Sequence, residues 1–157
     1  MERIRKLYYN ITTFFRNLKL FWKVLRTYHW WDYQYVINAN IVMFRDMAEH
    51  FEKEGTHISN QKVADNIKEL VKLLEKDIEA EAYEECKSIE DLNERNFQES
   101  LIIDEHKDKI VRLLFGPTYG EQQIQRARMR YAVEHGMSQE EAILKYIDYS
   151  GIENWWD

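Results

Sequence analysis

Asp46 and His50 stand four residues apart, so on a helix they share one face, and His57 follows closely in sequence. Two such donors begin a metal site, but a complete one needs three or four convergent ligands at a known spacing. No second pair of this kind occurs. The plain reading is an i,i+4 surface pair, and no metal or other cofactor is assigned. Asp77, Glu81, Glu84 and Glu85 make an acidic run similar in kind to the helices that hold magnesium in all-α nucleotide pyrophosphatases. The paired acidic motifs of that chemistry do not read through, so a solvated acidic face is expected and a metal-dependent nucleotide hydrolase is kept as a third alternative. The lone cysteine, Cys86, sits beside Glu84 and Glu85, whose charge raises a thiol pKa instead of activating it. Ser59, Ser88, Ser100, Ser138 and Ser150 fall at caps, turns or charged helical positions with no histidine near them in sequence. The stretch Gly116-Pro117-Thr118-Tyr119-Gly120 lacks the lysine of a phosphate-binding Walker loop and reads as a turn. No catalytic residue is assigned, and the chain reads as a non-enzymatic protein.

Binding chemistry is better represented. Tyr8, Tyr9, Phe14, Phe15, Phe21, Trp22, Tyr28, Trp30, Trp31, Tyr33 and Tyr35 place half of the chain's aromatic residues in its first 35 positions. Most such rings serve to fill a core. Adjacent tryptophans on a helix point about 100° apart, however, so Trp30 and Trp31 cannot both face one core. Lys19, Lys23, Arg26 and His29 lie close by, and rings beside cationic donors hold a base by stacking and a phosphate by charge-assisted hydrogen bonds. The candidate ligand-binding set is Arg26, His29, Trp30, Trp31 and Arg45. A second basic group, Arg126, Arg128 and Arg130 beside Tyr131, alternates along a helix and so spans more than one face; it reads as solvated surface.

These residues need helices to carry them. One proline, five glycines, 32% charged and 45% hydrophobic residues give a helical composition, and 157 residues suit one domain spanning 1–157. Ile4, Leu7, Tyr8, Ile11, Phe14, Phe15, Leu18, Phe21, Trp22 and Leu25 recur at three- and four-residue steps, the stripe of a long amphipathic helix with a basic opposite face. Asp32 is placed to cap a second helix bearing Val36, Ile37, Ile41, Phe44, Met47, Ala48 and Phe51, stopped by Gly55, which together predict a long N-terminal helical hairpin. Ser59 or Asn60 caps a third helix with Val63, Ile67, Leu70, Val71, Leu74 and Ile78, whose acidic continuation loses its register near Tyr83. Leu101 to Phe115 is one helix or two, ended by Gly116-Pro117. A short helix over 121–134 turns Ile124, Ala127, Tyr131 and Ala132 inward. Ser138 with Glu141 forms a capping box for the last helix, and the terminal Trp155 and Trp156 are expected to dock. The expected architecture is an all-α bundle of five or six helices, its first three forming the main antiparallel core.

Charge is polarised along the chain. Residues 1–28 carry seven bases against Glu2 alone, whereas thirteen acids from Glu75 to Asp108 outnumber the bases there, within a net charge of −6. Opposed faces of this kind favour a homo-oligomer, including head-to-tail association. An acidic chain without a recognition motif is a poor partner for long nucleic acid. No stretch reaches the roughly 18 apolar residues of a membrane span, and the N-terminus lacks a secretory signal, so a cytoplasmic, reducing setting is expected. An interfacial membrane helix is the competing reading of the first segment, whose apolar stripe is otherwise required to cover the second and third helices.

Phe21-Trp22-Lys23, Trp30-Trp31-Asp32-Tyr33 and the ending Asn154-Trp155-Trp156-Asp157 resemble a group of small helical accessory proteins of tailed bacteriophages. The resemblance covers the first fifty or so residues and the last four, and brings no catalytic residues with it. It implies a counter-defence setting in the host cytoplasm. There the expected function is that of a sponge sequestering a small anionic, nucleotide-derived immune signal. The alternative is a protein-protein inhibitor that occupies a host defence protein with its acidic middle.

Overall fold

The computed structural model describes residues 2–27, 33–54 and 59–151. The described elements are seven helices and no strand: α1 (Glu2–Arg26), α2 (Tyr33–Glu54), α3 (Asn60–Glu75), α4 (Ile78–Cys86), α5 (Leu92–Phe115), α6 (Tyr119–Glu134) and α7 (Gln139–Tyr146). The protein is all-α. The count exceeds the expected five or six because the acidic stretch is a helix in its own right. α3 ends at Glu75 where Lys76 turns extended, and Asp77 accepts a hydrogen bond from the Ala80 amide at 3.2 Å to start α4. Leu92–Phe115 is one continuous helix, begun by Asp91 accepting from the Glu94 amide at 2.8 Å.

The chain gathers into two compact units, Met1–Asp46 and Met47–Asp157, with the boundary inside the continuous helix α2. In the first unit, the Arg16 guanidinium lies 3.7 Å from the Asp46 carboxylate. Two consecutive long helices joined at those positions run antiparallel, as the predicted hairpin requires. The buried side chains are Val24, Ile41 and Phe44. Of the ten stripe residues, Leu18 and Phe21 are half-buried and the other eight are exposed. Ile4, Leu7, Tyr8, Ile11, Phe14, Phe15, Trp22 and Leu25 are 46–72% exposed, and Val24, 5% exposed, lies roughly 160° around the helix from Trp22.

In the second unit, α3 is the central element. Val63, Ala64, Ile67, Leu70 and Val71 recur at three- and four-residue steps and are all buried. α3 packs on α5, and the buried His106 of α5 has its Nε2 3.0 Å from the Leu73 carbonyl oxygen of α3. α4, with Ala82 and Cys86 buried, packs on α5, and α6 packs on α7 with Ala132 and Ala142 buried. The sequence reading of α6 is corrected in part: of the four residues expected inward only Ala132 is buried, and Ile124, Ala127 and Tyr131 are exposed. Ser59 is the N-cap of α3 but makes no capping bond; its side chain hydrogen-bonds Tyr149. The Ser138–Glu141 capping box is present as read, and Thr118 with Glu121 forms another at the start of α6. Gly116 ends α5 at φ 72° and donates its amide to the Arg112 carbonyl at 2.8 Å. The expected cap at Asp32, the stop at Gly55 and the docking of Trp155 and Trp156 lie outside the described residues.

Candidate functional site

The residues assigned to ligand binding divide into two sets. Arg26 closes α1 and Arg45 lies in the middle of α2, both exposed, while His29, Trp30 and Trp31 fall outside the described residues. With Arg16 beside Asp46, the antiparallel pairing puts Arg26 level with Val36. Arg45 is nine residues further along α2, roughly 14 Å away along the hairpin.

Several of the groups with catalytic potential have structural partners among the described residues. Asp46 faces Arg16, the His50 ring meets Phe51 edge-to-face at 6.2 Å, and His57 lies outside the described residues. Among the described residues no three His, Cys, Asp or Glu side chains gather as a metal site would require. The acids around α4 do not converge. Asp77 is the cap, Glu81 pairs with Lys76 at 2.9 Å, and Glu84 pairs with Lys87. Burial pushes the Cys86 thiol up, and Glu99 and Glu85 add to the effect, so the thiolate that nucleophilic chemistry needs is disfavoured. Near α6, Tyr131 stacks on His135 at 3.9 Å while Arg126, Arg128 and Arg130 are exposed.

The turn after α5 holds the densest polar network. Arg112 donates to Glu121 and to Asp148, each at 2.9 Å. Glu121 also accepts from the Thr118 hydroxyl and amide, both at 2.7 Å. Those Thr118 bonds, with Arg112 behind them, hold the Glu121 carboxyl down at about 2. Burial raises the Asp148 carboxyl, but the bonds from Ser150 and Arg112 outweigh it and keep the group below its ordinary value. The Gln125 side-chain oxygen accepts from the Asp148 amide at 3.1 Å, and the Gly151 amide donates to the Leu113 carbonyl at 2.8 Å. Each charge here is met within the network, and the N-terminus of α6, the place where a phosphate would sit, is occupied by the chain's own Glu121. It is a structural clasp that returns the chain after α7 to the α5–α6 corner, and of it only the Thr118-x-x-Glu121 capping-box spacing is visible in the sequence.

A depression of about 500 Å³ beside α3 is lined by Asp65, Lys68, Glu69, Lys72, Leu73 and Lys76. It is open and walled mainly by charged residues, and two of its three lysines are engaged, Lys68 by Glu52 and Lys76 by Glu81. That openness differs from the enclosed sites that hold small ligands.

The feature that structural roles leave unexplained is the outer face of α1. Eight large side chains, four of them aromatic, line it at positions 4, 7, 8, 11, 14, 15, 22 and 25. At about 200 Å² for each such side chain, their exposure leaves on the order of 900 Å² uncovered, above the few hundred Å² that monomeric proteins usually show. One partner of a standard protein interface buries about 800 Å². Arg5, Arg16, Lys19, Lys23 and Arg26 flank the stripe on one side, Arg3 and Lys6 on the other, and Glu2 is the sole acid of the helix. Comparison of the chain with protein-family models, with curated proteins and with solved structures returns no match.

Proposed function

We propose that this chain is a non-enzymatic binding protein whose recognition face is the outer side of α1. The carrying observation is the exposure of eight large apolar and aromatic side chains on a helix with seven bases and one acid. The resemblance to accessory proteins of tailed bacteriophages supplies the setting, in which a small protein blocks a host defence by occupying a component of it. A photoreactive residue in place of Phe14 or Trp22 tests the location of the face, with exposed Glu69 on α3 as the control position. Irradiation in the expressing cell should give adducts at both α1 positions; adducts at the control position alone would overturn the reading.

The small-ligand form of the same function is favoured by one observation: Arg26 is exposed at the end of α1, two to five residues before the aromatic run Tyr28, His29, Trp30 and Trp31 in sequence. In that form the protein sequesters a nucleotide-derived anion. Incubation with cyclic nucleotides and ADP-ribose derivatives, followed by heat release, distinguishes the outcomes. Intact nucleotide supports sequestration, altered nucleotide a hydrolase, and no bound nucleotide leaves the macromolecular partner. Replacing Arg26 by Glu should then weaken nucleotide binding by roughly one to two decades, the worth of a charge-assisted contact.

A further inference from the structure

Resting on that reading of α1, we propose that its partner is an anionic membrane surface, on which α1 lies parallel to the plane with its stripe in the acyl boundary. The residue types favour lipid. Ile4, Leu7, Ile11 and Leu25 are aliphatic and offer nothing to stack on a base, whereas Phe14, Phe15 and Trp22 among them are the side chains that interfacial helices insert. With successive residues about 100° apart, the exposed stripe spans an arc of roughly 120°, and bases begin at its edges, where their long stems reach lipid phosphates. Length suits the same role: 25 residues make a rod of roughly 37 Å that lies along a surface. No helix among the described residues is long and apolar enough to cross a membrane, so the association is peripheral.

Charge separates this occupant from a second copy of the chain. Two α1 helices meeting stripe to stripe would bring two sets of seven bases together. The acidic helices offer a poor counter-face. On α5, Asp104 and Glu105 are already met by Lys107 at 3.6 Å and Lys109 at 2.9 Å. The four glutamates of α4 span seven residues, about 10 Å against the roughly 37 Å of α1. A lipid surface supplies negative charge along the whole helix. Residues 1–28 carry +6, which leaves −12 for the rest of a chain of net charge −6, so an anionic surface also orients the molecule by repelling its remainder.

The test is sedimentation of the full chain with vesicles of phosphatidylcholine alone and of phosphatidylcholine with about a third phosphatidylglycerol. Wild type should partition at least about tenfold better onto the anionic vesicles and lose most of that advantage in high salt. Leu7→Glu/Phe14→Glu should abolish sedimentation, and Lys19→Glu/Lys23→Glu should remove the preference for anionic lipid while circular dichroism shows unchanged helicity. Equal binding to both vesicle types, or none to either, overturns the proposal. If vesicles fail while α1 amides gain hydrogen-exchange protection as protein concentration rises, the partner is a second copy, and α1 stands as the recognition face. If α1 is protected by neither, the reading of α1 falls as well.

Discussion

Gly136 and Gly151 form a matched pair for measuring a close backbone approach. Both adopt positive φ, 95° and 96°, where an L side chain is strained. They differ in surroundings. A Cβ at Gly136 meets nothing within 4 Å, whereas one at Gly151 would stand 2.8 Å from the Gly116 nitrogen and 2.9 Å from both the Gly116 Cα and the Phe115 carbonyl carbon. The contacted atoms are backbone of the α5 C-terminus, pinned by the Gly151 amide's own hydrogen bond to Leu113, and cannot swing aside as a side chain would. Gly136→Ala therefore carries backbone strain alone, about 1–2 kcal/mol. Gly151→Ala adds overpacking of about 1–3 kcal/mol. At about 2–4 °C per kcal/mol for a chain of this size, Gly136→Ala should lower Tm by roughly 3–6 °C and Gly151→Ala by roughly 6–15 °C. Thermal melts followed by circular dichroism make the comparison. A Gly151→Ala protein that melts at or above the Gly136→Ala temperature would refute the assigned packing of the chain after α7 on the α5–α6 corner.

The clasp and the cysteine give two further expectations. Arg112→Met should destabilise by about 1–2 kcal/mol at neutral pH, a figure already reduced for the partial exposure of all three partners. Because the Glu121 carboxyl is depressed from 4.5 to about 2, its share of the stability is complete above pH 4.5 and disappears as pH falls toward 2. Acid titration of wild type should show that loss and the Arg112→Met protein a shallower one; superimposable profiles would contradict the role given to Arg112. Cys86, buried and with its thiol pushed up, should react with a thiol reagent about a hundredfold more slowly in the native protein than in urea, and equal rates would show that the α4–α5 contact does not cover it.

Local signals were legible in the sequence, and long-range coverage was not. The Ser138–Glu141 box, the stop at Gly116-Pro117 and the periodic face of α3 depend on residues a few positions apart, and the structure holds all three. The break at Lys76 was hidden because Leu74 and Ile78 continue the α3 period across it, and only the capping bond of Asp77 shows that the helix restarts. His106 lies among charges in Glu105-His106-Lys107 and looks exposed. Its spacing from Ile103, Ile110 and Leu113 was the available clue that it faces inward. Ser59 was expected to act as a cap, whereas its hydroxyl is taken by Tyr149, ninety residues away in sequence. For α1 the period identifies an apolar face, but periodicity says nothing of what covers a face: Leu18 and Phe21 are half-buried and the other eight stripe residues are exposed.

The central claim, that the α1 stripe is a binding face and not a core face, is tested most directly by melting Leu7→Glu/Phe14→Glu at low protein concentration without lipid or partner. Both side chains are about three-fifths exposed, and surface substitutions usually change stability by no more than about 0.5 kcal/mol each. Tm should stay within roughly 2–4 °C of wild type. Were the stripe core, truncating a buried leucine and phenylalanine and adding charge would remove at least about 5 kcal/mol, and Tm would fall by more than about 10 °C. A fall of that size would contradict the assignment of α1 as the recognition face.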